Sequence, residues 1–102
     1  MKVVFTRNAE ADLEAIGDWI AQDNPGRALT VLAELAKACK TIGRTPRRFA
    51  LVDRQRDPAL RRRIHGNYLI FYEVRLNAVE ILHVIHGARD YGRMVFADEE
   101  LD

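Results

Sequence analysis

Two groups of residues in this sequence have the types and spacing to do chemistry. The first is a run of arginines: Arg44, Arg47, Arg48, Arg54, Arg56, Arg61, Arg62 and Arg63, with only Asp53 and Asp57 among them as acids. A guanidinium fork binds two oxygens at once, so such a run suits carboxylates or phosphates. Three settings fit it: a solvated rim, an acidic protein partner, or nucleic acid. The second group follows the last apolar stretch: His86, Arg89, Asp90, Tyr91, Arg93 and Met94. Gly87 ends the strand there, so the side chains beyond it are expected to project from an exposed edge. Arg, Tyr and Met are residue types enriched at interface centres. A local ion pair between Arg89 and Asp90 that pins the strand end is the plainer reading of those two.

Other chemistry finds little support. His83 and His86 are three apart in a strand and face opposite sides, and His65 lies in another strand, so no metal site is expected. His83 reads as a hydrogen-bonded core or edge residue, and His86 as support for the turn at Gly87. The single cysteine, Cys39, sits on an apolar helical face and reads as a small core residue. One cysteine makes no internal disulfide, which fits a reducing cytoplasm. There is no glycine-rich phosphate loop, no nucleophile motif and no carboxylate pair set for acid–base work. No cofactor is expected.

The elements that must position these residues can be read in order. At 102 residues, 48% hydrophobic and 30% charged, with a formal net charge of +1, the chain is expected to form one globular domain. No apolar run reaches membrane-spanning length and no signal-peptide pattern opens the chain, so a cytoplasmic location is expected. Lys2–Thr6 reads as a strand. Thr6 or Asn8 can cap the helix that follows, 9–22, where Leu13, Ile16 and Ile20 recur at helical spacing. Its outer face is acidic, through Glu10, Asp12, Glu14 and Asp18. Trp19 reads as a core or seam residue, with a binding anchor as the alternative. Asn24-Pro25 starts a second helix, 25–42, with a stripe of Leu29, Leu32, Leu35, Ala36, Cys39 and Ile42. Gly43 is placed for a left-handed C-cap. The short connection makes the two helices an antiparallel hairpin.

Residues 45–58 read as an irregular loop in which Phe49, Leu51 and Val52 pack down on a sheet edge or face. Three strands then form an antiparallel meander: 59–65, 68–75 and 79–86. Gly66-Asn67 marks the first turn, and Leu76-Asn77-Ala78 the second, with Asn77 tolerant of a left-handed backbone. Strict alternation puts Tyr68, Ile70, Tyr72 and Val74 on one face, opposite Leu69 and Phe71. It also sets Ile81 and Ile85 against Leu82 and Val84. Both faces are too apolar for a sheet open to water on one side. The helical hairpin covers one. The loop covers part of the other, and a partner is expected to bury the rest by helix-in-groove docking or strand addition.

At this point the pattern resembles a known family. The β–α–α–β–β–β order, Ala9-Glu10-Ala11-Asp12-Leu13 with Ile16, Arg63 with Gly66 and Tyr68, Ile70-Phe71-Tyr72, and above all ILHVIHGARD at 81–90 resemble the ParE branch of the RelE/ParE toxin superfamily. The resemblance covers 1–97, and the acidic tail 98–102 lies outside it. It implies an α+β fold, with an N-terminal strand and an antiparallel helical hairpin packed on a C-terminal antiparallel β-sheet. It implies the toxin half of a bacterial type II toxin–antitoxin pair, wrapped by a ParD-like antitoxin. DNA would be met only through that antitoxin. For the ParE branch it implies non-catalytic poisoning of DNA gyrase and arrested growth, with the toxic surface at His86, Arg89, Asp90, Tyr91, Arg93 and Met94. Antitoxin contacts are expected from Arg44, Arg47, Arg48, Phe49, Leu51, Arg54, Arg56, Arg61, Arg62 and Arg63.

The sister RelE branch cleaves ribosome-bound messenger RNA. That reaction needs a base, cations for the phosphorane, and an acid for the leaving group. RelE-like proteins supply lysines and arginines from the sheet and the loop before it, whereas here no lysine occurs after Lys40. The sheet arginine of that branch would fall near Leu69. Arg89 falls near a RelE-type arginine, with Tyr91 or His86 as the conceivable acid, so the set is partial. An interaction module with neither activity is the third reading.

Overall fold

Thr6 starts the first helix by accepting a hydrogen bond from the Ala9 amide at 3.1 Å, which makes it, and not Asn8, the N-cap. Asn24 does the same for the second helix, accepting from the Arg27 amide at 3.0 Å, with Pro25 in the first helical position. The computed structural model describes residues 1–89. Its elements are β1 (Lys2–Phe5), α1 (Arg7–Ala21), α2 (Pro25–Ile42), β2 (Leu51–Asp53), β3 (Asp57–His65), β4 (Tyr68–Val74) and β5 (Ala78–His86). The five strands form one sheet in the order β1-β5-β4-β3-β2. β1 runs parallel to β5, and the other pairings are antiparallel.

The helical hairpin covers one face. Ile16 of α1 and Val31, Leu35, Ala38, Cys39 and Ile42 of α2 pack against Ile70, Tyr72, Val79, Ile81 and Val84, with Leu13, Ile20 and Leu32 at the margin. The buried stripe of α2 is rotated from the expected one. Leu29 is 72% exposed and Ala36 only half-buried, while Ala28, Val31 and Ala38 face inward. Trp19 also departs from its core reading, at 56% exposed.

Strict alternation fails in β5 for a physical reason. Phe71 opposes His83 but Tyr72 opposes Ile81, so Leu82 is an extra residue in a β-bulge. The bulge resets the parity of the strand. Ile81 and Val84 therefore both reach the helix-covered core, whereas Ile85 joins Leu69 and Phe71 on the opposite face, packed with Leu60.

Three local expectations are corrected. The loop before β3 contains a short strand, β2, and β3 begins at Asp57, ahead of Pro58. Proline is tolerated there because its neighbour is a three-residue edge strand that ends at Asp53. Gly43 has φ −60°, not a left-handed backbone. Its reason is crowding: a Cβ would collide with the Met1 carbonyl oxygen and come within 2.9 Å of Val3 Cγ2. Asn77 does not adopt a left-handed backbone either, and Gly66 (φ +58°) is the one described residue with positive φ.

Leu35 is 1% exposed at the centre of the helix–sheet core. Leu35→Ala should cost about 2–5 kcal/mol in urea unfolding, whereas Leu29→Ala, on the exposed side of the same helix, should stay within about 0.5 kcal/mol of wild type.

Candidate functional site

The end of β5 is held from three sides. The Gly87 amide donates to the Asn67 carbonyl at 2.8 Å, which ties the strand end to the β3–β4 turn. The Tyr68 ring meets the His86 ring edge-on, with centroids 5.3 Å apart and planes at 84°. Residues 87–89 then turn helical. His86 Nδ1 accepts the Arg89 amide at 3.2 Å, so the histidine caps that turn as an N-cap side chain does. This is the supporting role expected of His86. Arg89 is exposed, and its guanidinium lies over the Trp19 ring at 4.8 Å from the centroid. Asp90, Tyr91, Arg93 and Met94 lie outside the described residues.

About two turns earlier on α1 than Trp19, Asp12 reaches the same strand. Its Oδ2 accepts the Val84 amide at 3.0 Å and meets His83 Nδ1 at 2.8 Å. Thr6 completes the attachment: its amide donates to the Ile81 carbonyl at 3.0 Å, and its hydroxyl lies 2.9 Å and 3.1 Å from the carbonyls of Ile81 and Leu82. His83 is thus an edge residue paired with a helix carboxylate. Among the described residues, no group of three His, Cys, Asp or Glu side chains is arranged to hold a metal ion.

The arginine run divides in two. Arg61 donates to the Phe49 carbonyl at 2.7 Å and to the Arg47 carbonyl at 3.3 Å. Arg63 donates to the Ala38 carbonyl and to Thr41 Oγ1, both at 2.6 Å, and its guanidinium stands 4.9 Å from the Phe49 ring centroid. Phe49 in turn meets Tyr72 edge-on at 6.5 Å, and the Tyr72 hydroxyl donates to the Pro46 carbonyl at 2.7 Å. Burial pushes the Tyr72 phenol up, against the opposing pull of Arg61 and Arg63. These two arginines therefore fasten the 43–50 segment and α2 to the sheet. Arg44, Arg47, Arg48, Arg54 and Arg56 stand exposed, and Leu51 and Arg62 are half-buried. Arg56 pairs with Asp53 at 4.0 Å in the open, which contributes little to stability.

The two clusters are not brought together. β4 and β3 stand between β5, which carries Arg89 at its end, and β2, which the exposed arginines flank. Trp19 is the candidate that sequence reasoning placed in the core in preference to a binding anchor. Helical spacing gave the signal, since Trp19 lies between the inward Ile16 and Ile20, but its neighbour across the sheet end was not foreseeable from periodicity.

Cys39 is fully buried beneath Arg63, and desolvation pushes its thiol up to about 12, only partly opposed by that cation. A raised thiol pKa contributes stability that is fully present below the unfolded value of about 9 and is lost as pH rises through the folded value. Relative to Cys39→Ala, the wild-type chain should therefore lose stability between pH 9 and pH 12 in urea titrations, and the difference should be flat below pH 8.

The family described as ParE toxin of type II toxin-antitoxin system, parDE, matches residues 3–91. Among solved structures, a chain of a chromosomal ParDE TA system from P. aeruginosa superposes with a TM-score of 0.71 at 21% identity, covering 84% of this chain and 95% of that one. At that identity the likeness speaks for the fold. No curated protein matches.

Proposed function

This chain belongs to the family of ParE toxins of type II toxin–antitoxin systems, and on that premise we propose that it poisons DNA gyrase without catalysis and is held inactive by a ParD-like antitoxin. One domain over 1–97 carries both activities, with 98–102 as an acidic tail. The observation that supports the target assignment best is Arg89: exposed, on a capped turn just beyond the end of β5. His86 supports it, and Asp90, Tyr91, Arg93 and Met94 follow in sequence. Leu69 favours the non-catalytic reading over a ribonuclease. It is 9% exposed and apolar where the RelE branch has a cationic side chain, and no lysine follows Lys40.

The antitoxin is acidic and amphipathic in this reading. It pairs with the exposed Arg44, Arg47, Arg48, Arg54 and Arg56, and buries Ile64, which is 65% exposed on β3 on the same face as Arg62, with Leu51 of the edge strand on the other face. Arg61, Arg63 and Phe49 shape that surface from beneath. Exposed ion pairs contribute at most about 1 kcal/mol each, so apolar burial carries affinity and the arginines carry association rate.

Two measurements test this. Truncating an arginine at an interface centre costs about 2 kcal/mol or more, so Arg89→Ala should weaken gyrase inhibition about thirtyfold in a supercoiling assay while antitoxin binding persists. Unchanged inhibition removes Arg89 from the toxic surface, and cleavage of ribosome-bound messenger RNA by the wild-type chain with gyrase untouched replaces the gyrase reading. Separately, the association rate with antitoxin should fall steeply with added salt, and a variant lacking Arg47, Arg48 and Arg54 should be slower and less salt-sensitive. A rate indifferent to salt removes the arginines from antitoxin recognition.

A further inference from the structure

We infer that Trp19 is a positioning residue for Arg89, and that the toxic surface extends from the end of β5 onto α1 to take a protein partner that offers a carboxylate beside apolar side chains. The inference rests on the reading of Arg89 as a target-contacting residue. It starts from an anomaly of burial. Trp19 is the chain's one tryptophan and is 56% exposed, while Ile16 and Ile20 on the same helix pack into the core. Fold stability does not require an indole there.

What the indole does touch is the Arg89 guanidinium, at 4.8 Å from the ring centroid. A cation over an aromatic face is attracted by the ring quadrupole, most strongly for Trp. A stacked guanidinium keeps its N–H donors in its own plane, at the edges, so the ring orients the group without consuming its hydrogen bonds. No carboxylate among the described residues forms a salt bridge with Arg89. The backbone on either side is held as well, through the His86 cap and the Gly87–Asn67 bond. A long flexible side chain is thus ordered before any partner arrives, and binding loses less rotamer freedom than it would from an unstacked arginine.

The surroundings choose the class of partner. A phosphate backbone also satisfies a guanidinium, but α1 presents Glu10, Glu14 and Asp18 to solvent on the helix that carries Trp19. Those carboxylates repel a polyanion. A single carboxylate set among apolar residues meets both halves of the pair, because tryptophan and arginine together are the residue types that dominate protein–protein hot spots.

The single tryptophan makes the contact measurable. In the wild-type chain, acrylamide quenching of Trp19 emission should be lower than in Arg89→Ala, and Arg89→Lys should fall between them. Equal quenching in all three overturns the stacking. Trp19→Ala should need about tenfold more protein for the same growth arrest and gyrase inhibition, and Trp19→Phe should recover most of that loss. Both variants should bind antitoxin and melt as wild type does, which a purely structural role would not allow. Full potency of folded Trp19→Ala overturns the inference, and if that variant fails to fold, full potency of Arg89→Lys does so. If the wild-type chain arrests growth but spares gyrase, the target assignment fails, and the Trp19 dependence of growth arrest still decides this one. A wild-type chain that arrests no growth overturns both. Retention of the wild-type chain on immobilised DNA at physiological salt, lost in Trp19→Ala, replaces the protein partner with nucleic acid.

Discussion

A short first strand leaves half of its neighbour without a ladder, and the rest of the structure follows from how that edge is satisfied. β1 pairs with β5 only from Ala78 to Ile81. Beyond that point β5 runs on to His86 with one edge unclaimed by any strand among the described residues. A buried amide without a partner costs about 1–3 kcal/mol. Thr6 and Asp12 supply side-chain oxygens in place of a backbone, at Ile81, Leu82 and Val84. Helix α1 is therefore attached to the strand by polar bonds as well as by packing. The β-bulge at Leu82 falls at the handover, where the ladder passes from β1 to side chains of α1.

Much of this was legible in the sequence, because helix caps and apolar spacing are local. Thr6, Asn24 and Pro25 name the helix starts, and Gly66 the turn between β3 and β4, from chemistry within a few residues. What was not legible depends on partners distant in the chain. Nothing near Leu82 announces a bulge, so alternation assigned Ile85 to the wrong face. Leu29 belongs to an apolar pattern that fits α2, but the sheet meets the helix along a line rotated toward Val31 and Ala38. Gly43 was read as a conformational glycine, whereas Val3 and Met1 exclude a side chain there. At the candidate site, residue type pointed to Arg89 and His86, whereas the contact of Trp19 with Arg89 joins residues distant in the chain and has no local signal.

The arginines show why composition alone misjudges a basic run. Arg61 and Arg63 look like their neighbours in sequence, yet they bind the carbonyls of Phe49 and Ala38, and Arg63 stands over the Phe49 ring that meets Tyr72 edge-on. They replace regular structure in a segment that has little of its own. The exposed remainder adds a positive field to that side of the surface.

The parallel pairing of β1 with β5 has a consequence for how the protein comes into being. Lys2 lies opposite Ala78, so β1, made early by the ribosome, waits for β5 before these strands can pair. Such distant pairing is slow, because loop-closure entropy must be met before the contact contributes anything. A nascent chain stopped short of β5 lacks the strand that joins β1 to the rest of the sheet, and with it the turn that carries Arg89. Until synthesis has passed that point, the fold that this chain shares with its toxin family does not exist.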